Sequence, residues 1–373
     1  MRNLFFFGTL RSLPLLEIIL GRKAEQVKTC PARLADHAVH WVEGASYPTI
    51  VRRSGATAEG LLARGLTEAD IDRLVFYEGG FGYALRPVTV ETEAGPVQAE
   101  MFCPPEGQDR PGPDWSLEEW ERRWGPTSRR AAEEVMAFYG RLSPQKIARR
   151  FPQIRRRAWC WVQAQSRPED GTHDVARDVE ILDHKRAHLN FFGIEEARLR
   201  FRRFDGTMSA PIERSAQMVG DAAVVLPYDP RLDRVLLIQQ FRAPVFLAGD
   251  PAPWVWEPVA GLVDPGETPE ETARREAVEE AGVTLDRLER VGKSFASTGS
   301  SGEFLHLYVG IADLAGAGQG TGGLDAEGED ILPRRFSFDA LMEMVDRGAV
   351  RDMPLLATAL WLGRHRDRLR KGA

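Results

Sequence analysis

Apolar and polar positions along the chain fall into short blocks. Residues 3–7 (NLFFF) are an apolar run stopped by Gly8, which predicts a buried strand and a turn. A helix over 13–21 follows, ended by Gly21. Strand-like pieces fall around 37–42 and 58–63. Thr67 then caps a helix, TEADIDRLVFYEGG, which Gly79 and Gly80 close. Strands are expected at 86–92 and 97–102, and Pro104, Pro105, Pro111 and Pro113 end this first unit. Residues 112–160 read as charged helices, with Trp115, Trp120 and Trp124 spaced for burial on one face. The acidic stretch 168–180 reads as an exposed connection.

From about residue 178 a period of two dominates. LRFRRFDG turns at Asp205-Gly206 and TMSAPIERSAQMV alternates again, as in a hairpin. AAVVLP and RVLLIQQFR bracket the turn YDPRLD as a second hairpin. VWEPVAG leads into a short helix, FLHLYVGIA is a strand, and GAGQGTGGLDAEGED is a Gly-rich loop. Helices over 338–347 and 355–371 end the chain, the last finishing in Arg and Lys beside its own negative end. The pattern predicts an α/β (α+β) chain in three parts: 1–110, a helical extension or linker over 111–165, and 166–373.

The chemistry concentrates in Gly261 to Val283, GLVDPGETPEETARREAVEEAGV. Thr268 serves as N-cap, Pro269 takes the first helical position, Glu271 closes a capping box and Gly282 is the stop. Glu276, Glu279 and Glu280 fall at i, i+3 and i+4 on one face, with Glu267 beside them and Arg275 four residues before Glu279. Like charges so placed repel unless something positive offsets them. Carboxylates with water and a substrate phosphate are the usual surroundings of Mg²⁺. An acidic run is ordinarily a solvated face; a metal site is the other reading of this one.

Composition narrows the alternatives. A chain of 373 residues with 43% apolar residues can bury two or three cores. A net charge of −6 argues against a broad basic surface for nucleic acid. The basic segment IARRFPQIRRR is read as a solvated face. The 3 cysteines, Cys30, Cys103 and Cys160, lack metal or redox spacing and suggest buried thiols in a reducing compartment. The apolar N-terminus has no small-residue cleavage site, and no run reaches the ~18 apolar residues of a spanning helix. A cytoplasmic protein without membrane partner is expected. His184 and His188 lie four apart without the Glu of a zinc-protease motif, so a polar helix face is expected there. Gly318, Gly320 and Gly323 satisfy G-x-G-x-x-G, but no helix pattern follows.

The stretch 261–283 reads G-x5-E-x7-R-E-A-x-E-E-x-G-V and so resembles the Nudix box at every polar position. NFFG, GDAAVVLPYDP, VLLIQQFR and the EGED loop extend the likeness over about 178–365, to the ADP-ribose pyrophosphatase branch of the Nudix hydrolases. The resemblance implies an α/β/α sandwich with an N-terminal antiparallel β extension, and hydrolysis of ADP-ribose to AMP and ribose 5-phosphate with Mg²⁺, or Mn²⁺ in its place. It implies metal ligands at Glu276, Glu280, the backbone carbonyl of Ala260 and Glu329, with Glu279 sharing or bridging. It places the base that takes a proton from water at Glu327, with Glu329 as the other candidate in the same loop. Phe191 matches an adenine-stacking aromatic, Arg214 and Arg242 match phosphate- or ribose-binding positions, and Ser297 and Glu303 match positions near the terminal ribose. Family members are homodimers, so a homodimer is expected. One departure stands out: members specific for ADP-ribose carry a proline where this chain has Thr298.

The first unit resembles gamma-glutamylcyclotransferase-like proteins. FGTLR (7–11) stands where that family has a Y-G-T-L-R-type loop, with Phe7 in place of Tyr, and LVFYEGGFGYALRPV matches its L-x-x-x-E-G…Y-x-R segment. The resemblance implies a mixed β-barrel with helices. It puts Glu78 at the catalytic acid/base position with Tyr83 and Arg86 close behind; a non-catalytic domain is the alternative. The loop at 7–11 would offer backbone N–H groups to a substrate carboxylate. The two-part order resembles a bacterial fusion associated with tellurite resistance. Two other functions compete for the second part. One is hydrolysis of another nucleoside diphosphate derivative, a nucleotide sugar or a dinucleotide. The other is sensing of ADP-ribose without cleavage, against which the intact Arg275-Glu276 and Glu279-Glu280 pairs count.

Overall fold

The computed structural model describes residues 1–105, 107–168, 171–324 and 328–372. The chain forms two compact units, Met1–Ser215 and Ala216–Ala373.

The first unit is built on strands β1 (Arg2–Phe6), β2 (Lys28–Val42), β3 (Pro48–Leu66), β4 (Ala84–Thr92) and β5 (Gly95–Cys103). They hydrogen-bond in the order β3-β1-β5-β4-β2, and a β2–β3 pairing closes the ring into a five-stranded barrel. β6 (Pro111–Asp114) adds to β2 outside it. β2 and β3 are 15 and 19 residues long, far longer than the pieces expected at 37–42 and 58–63. Their polar outward positions and a bulge at Asp36 (φ 55°) interrupt the alternation. Successive residues of β1 face opposite ways. Phe5 joins Leu34, Leu62, Val90 and Met101 in a cluster drawn from strands alone, while Leu4 and Phe6 pack toward helices.

Those helices are α1 (Leu13–Leu20), α2 (Glu68–Glu78), α3 (Leu117–Arg123), α4 (Gly125–Met136) and α5 (Pro144–Ala164). Residues 112–160 thus pack as helices of this unit. Trp120 and Trp124 lie in one buried cluster with Leu10, Leu15 and Leu74, and Trp115 packs against it. A second cluster joins Phe76 of α2, Val135 of α4, Ile147 and Ile154 of α5, and Leu189. The basic segment read as a solvated face is partly interior. Arg157 is 7% exposed and donates to the buried Glu134 carboxylate at 2.6 and 3.1 Å.

The short α6 (Val175–Asp178) leads into an antiparallel sheet of β7 (Val179–Leu189), β8 (Gly193–Phe201) and β9 (Ile212–Met218). Leu189 in the α2–α4–α5 cluster, and Arg141 donating to the carbonyls of Arg186 and Ala187, tie this sheet to the first unit. The compact units thus divide at 215/216 rather than at 165/166. His184 and His188 stand on β7, not on a helix, and His184 Nε2 pairs with Glu195 at 2.6 Å. The connection expected to be exposed buries Asp178, which accepts from Arg177 and Arg202.

The second unit is an α/β/α sandwich. Its sheet contains β10 (Asp221–Asp229), β11 (Arg234–Phe241), β12 (Trp254–Glu257), β13 (Val259–Leu262), β14 (Arg287–Phe295), β15 (Phe304–Ile311) and β16 (Leu332–Ser337), with the short α7 (Ala243–Leu247) between β11 and β12. The path runs β12-β11-β10-β15-β14, with β13 on β10 and β16 on β11. The expected β10–β11 hairpin pairs only at its turn, Tyr228 with Val235 and Asp229 with Arg234. Beyond that the strands part, and β13 lies antiparallel to β10. β10 is buried throughout because both faces of the sheet are covered. Ala223, Val225 and Ile238 face α8 (Pro269–Ala281); Leu226, Val235 and Leu237 face α9 (Phe338–Asp346) and α10 (Met353–Lys371). Among the described residues no helix is long and apolar enough to cross a membrane.

Candidate active sites

The box helix α8 starts and stops where its sequence indicates. Thr268 Oγ1 accepts from the Glu271 N–H, Glu271 accepts from the Thr268 N–H at 2.7 Å, and Gly282 ends the helix at φ 63°. Ala273 and Ala277, both fully buried, face the sheet, and their small side chains let the helix lie close to it. This puts Glu276 and Glu280 against β13. A β-carbon at Gly261 would overlap the Glu276 carboxylate, so only glycine leaves that carboxylate its place. The Ala260 N–H donates to Glu280 Oε2 at 3.1 Å. Arg275 holds the outer edge together, donating to Glu276 at 2.7 Å, to Glu279 at 2.9 Å and to Glu267 at 3.0 and 3.1 Å. Burial opposes charge on Glu267, but hydrogen bonds from Arg275 and Thr272 hold its carboxyl below the usual range.

Burial acts differently on the inner pair. It pushes Glu276 up to about 7, against the pull of Arg275, and it raises Glu280 well above the ordinary carboxylate value. Glu276 and Glu280 repel each other, and Glu329 repels both. The loop bearing Glu329 is seated on the end of α8. The Gly323 N–H donates to the Glu279 carbonyl at 3.2 Å, Gly322 pairs with Ile331, and Glu329 Oε2 accepts from the Leu324 N–H at 3.3 Å. Glu327 lies outside the described residues.

A second group adjoins this one. Arg242 donates from Nε and Nη2 to the buried Glu257 carboxylate at 2.9 and 2.5 Å, and its charge is felt at Glu280, Glu303 and Asp352. Burial raises Glu303, and pushes Asp352, the N-cap of α10, up to about 6. The second unit therefore brings Arg242, Glu276, Glu279, Glu280, Glu303 and Glu329 into one electrostatic neighbourhood. Ser297 is exposed, in a turn where it accepts a hydrogen bond from Ser300 at 2.9 Å. Glu257 and Asp352 escaped the sequence reading. The signal for Glu257 was a lone carboxylate in the apolar run WVWEPVA.

Phe191 and Arg214 belong to the first unit. Phe191, 45% exposed, lies in the β7–β8 turn, where its ring meets Phe192 edge-on and its carbonyl accepts from Arg157. Arg214 is exposed on β9 and donates to the Glu213 carbonyl.

The first unit has a site of its own. A cavity of about 350 Å³ is lined by the Phe7–Leu10 loop, Glu78, Tyr83 and residues of α5. Glu78 ends α2 and is recessed there; burial, with no offsetting influence among the described residues, pushes its carboxyl up to about 7. Tyr77 and Tyr83, also raised by burial, stand beside it, and Tyr83 donates to Asp109 at 3.5 Å. Phe7 lines the wall, so the substitution for Tyr makes it more apolar. Arg86 is exposed on β4 and does not line the cavity.

Among the described residues no three His, Cys, Asp or Glu side chains form a ready-made metal cage. Glu276 and Glu279 turn to Arg275, and Glu280 to the Ala260 N–H. The donor set nonetheless suits a hard divalent cation. It offers carboxylate oxygens, and its two inner members, Glu280 buried and Glu276 half-buried, repel each other, so added positive charge would relieve them.

Comparison with known proteins agrees with this geometry. Residues 218–358 match the model of the NUDIX domain, and residues 4–122 that of gamma-glutamyl cyclotransferase, AIG2-like. The ADP-ribose pyrophosphatase of Escherichia coli strain K12 is 36% identical over 193 residues, covering 52% of this chain and 91% of that protein. The ADP-ribose pyrophosphatase of Haemophilus influenzae is 35% identical over 161 residues, 43% of this chain and 74% of that protein. The GDP-mannose pyrophosphatase of Cronobacter sakazakii is 32% identical over 178 residues, 48% of this chain and 91% of that protein. With the box helix, its glycine cradle and this coverage in agreement, the chain belongs to the Nudix hydrolases, and carries a gamma-glutamyl cyclotransferase, AIG2-like domain in front of its hydrolase unit.

Proposed function

We propose that the second unit hydrolyses the pyrophosphate of ADP-ribose to AMP and ribose 5-phosphate, with Mg²⁺ or Mn²⁺ as cofactor. The observation that carries the reaction class is the Glu276–Glu280 pair, Glu280 buried and Glu276 half-buried, beneath Gly261 and Ala260. Relatives named ADP-ribose pyrophosphatase support the substrate. The metal would be held by Glu276, Glu280, Glu329 and the Ala260 carbonyl. When bound it neutralises the diphosphate and lowers the pKa of water. Glu327 accepts the proton as the water oxygen attacks phosphorus. The bridging P–O bond breaks, and the leaving phosphate keeps the electron pair. Arg275 fixes the orientation of Glu276 and Glu279. Arg242, braced by Glu257, offers N–H donors to the anionic substrate.

A nucleotide sugar is the second reading. Thr298 in place of the family proline and the relative named GDP-mannose pyrophosphatase favour it. Steady-state rates on ADP-ribose, GDP-mannose and a dinucleotide with Mg²⁺ separate the two. ADP-ribose must give the highest kcat/KM, or the first reading fails.

For the first unit we infer cyclisation of γ-glutamyl compounds to 5-oxoproline, supported by the recessed Glu78. Its carboxylate takes a proton from the substrate α-ammonium, the freed nitrogen attacks the γ-carbonyl carbon, and the amide C–N bond breaks. Glu78 passes that proton to the departing amine, which also takes up the second proton that the ring nitrogen sheds on becoming the lactam N–H. Release of 5-oxoproline should vanish in Glu78→Gln; no release by the unaltered protein refutes this reading.

A further inference from the structure

Three tyrosines, Tyr47, Tyr77 and Tyr83, line the cavity of the first unit together with Glu78. Of the three, only Tyr83 has a side-chain hydrogen-bond partner among the described residues, the Asp109 carboxylate at 3.5 Å. The backbone explains how Tyr83 arrives there. Glu78 ends α2, the single turn Gly79–Phe81 follows, and Gly82 redirects the chain at φ 84°, a left-handed value that glycine adopts without strain. This turn is pressed from two sides. A β-carbon at Gly80 would overlap the Pro144 carbonyl at the start of α5, and one at Gly82 would come within 2.9 Å of the Pro105 ring. Glu78 and Tyr83 thus stand at the two ends of one tight turn and face one cavity. Tyr77 packs between two apolar clusters of the unit, and Tyr47 is exposed, where water competes for its hydroxyl.

Cyclisation leaves one role to fill beside the base. As the substrate nitrogen bonds to the γ-carbonyl carbon, the C=O π pair moves onto oxygen, and that oxyanion is stabilised by a fixed hydrogen-bond donor. Glu78 does not serve, because the proton it has taken is due to the departing amine. The Tyr83 phenol meets the requirement. Burial, with Glu78 and Asp109 opposing a phenolate, pushes it well above the ordinary tyrosine range. It therefore keeps its proton throughout the range in which Glu78, raised to about 7, becomes charged. Its bond to Asp109 is long for an O–H···O contact, so the hydroxyl turns to a stronger acceptor at little cost. Base and donor come from one turn, and each is in its working protonation state at the same pH.

Resting on the cyclotransferase reading of this unit, we propose that Tyr83 is a second catalytic residue, whose hydroxyl donates a hydrogen bond to the γ-carbonyl oxygen as that oxygen gains negative charge. When the tetrahedral centre collapses, the pair returns to the carbon–oxygen bond, the amide C–N bond breaks and the hydroxyl is released. The experiment is 5-oxoproline release by the full chain from γ-glutamylalanine and γ-glutamylbenzylamide, with Tyr83→Phe compared with the unaltered protein. The variant should lose kcat about a hundred-fold, the scale of one oxyanion donor. Its KM should stay within about threefold, because the contact forms fully only in the transition state. Its pH profile should still rise to about 7 and level off, since Glu78 remains the base. Loss of one hydroxyl leaves the ring packing in place, and a thermal melt checks this. If kcat stays within about threefold, or falls only together with a displaced pH profile, the proposal is wrong while the cyclotransferase reading stands. If the unaltered protein releases no 5-oxoproline from either compound, both fall together.

Discussion

Gly261 and Glu276 share one small space: the Glu276 carboxylate occupies the volume that a β-carbon at residue 261 would need. Gly261→Ala should therefore displace the carboxylate while leaving the alanine face of α8 on the sheet. We expect diphosphate hydrolysis to fall about a hundred-fold, ~2.7 kcal/mol in the barrier, mostly in kcat. Steady-state kinetics with a thermal melt check this; near-normal kcat would show that the position of Glu276 does not matter.

Glu280→Gln should abolish turnover and preserve the fold. In the unaltered protein Mg²⁺ at about 100 times its Kd should add about 2.7 kcal/mol of stability, because it binds only the folded state. The variant should lose most of that gain. Melting curves with and without Mg²⁺ read this directly. A variant still stabilised to the same degree would remove Glu280 from the ligand set.

The Arg242–Glu257 pair should act as a unit. Arg242→Ala leaves a carboxylate that is 7% exposed without its partner. Since Arg242 itself is partly exposed, the expected cost is about 2 kcal/mol, below that of a fully buried pair. A double-mutant cycle with Glu257→Gln by urea unfolding should give a coupling near 1 kcal/mol or more. Additive effects would mean the two act independently.

Glu78 makes a pH prediction. Burial raises its carboxyl from 4.5 to about 7, so between these values the folded state binds more protons than the unfolded one. Its contribution to stability is whole below about 4.5 and is lost as pH rises through about 7. Glu78→Gln lacks this slope. Relative to the unaltered protein it should gain about 1–3 kcal/mol in the first unit between pH 4.5 and pH 8. Urea unfolding at both pH values tests it, and a constant difference would contradict the assigned burial. Cyclisation by the unaltered protein should rise with pH up to about 7 and then level off, since the base must be charged.

Within the first unit Glu134→Ala should be among the costlier substitutions, by about 3–5 kcal/mol, because it strands the buried Arg157 guanidinium. Calorimetry resolving the unit's transition would measure it; a shift below 1 kcal/mol would mean that Arg157 finds water or another acceptor.

Much of this was legible from residues alone. The box helix announced its cap, its stop and its acidic face within 261–283, because helix signals are local. Glu78 could be matched to a motif but not judged, since its burial depends on α5, which begins at Pro144. The division of compact units at 215/216 was not legible either, because it depends on β7 and β8 packing against helices of the first unit. Charge in IARRFPQIRRR looks solvated until Glu134 is placed against Arg157. His184 and His188 suggested a helix by spacing, yet they stand on a strand because β7 pairs with β8 along its length.

The sequence by itself determined the box helix with its cap and stop, the reaction class of the box and the identity of both domains, because caps, turn glycines and motif spacing act over a few residues. The tertiary structure decided what those residues experience. It buried Glu280 and recessed Glu276 while leaving Glu267 in a hydrogen-bonded rim, joined Arg242 to Glu257 from another strand, and walled Glu78 with Phe151. Burial and long-range pairing set charge state and partner, and both arise only when segments distant in sequence close the same space.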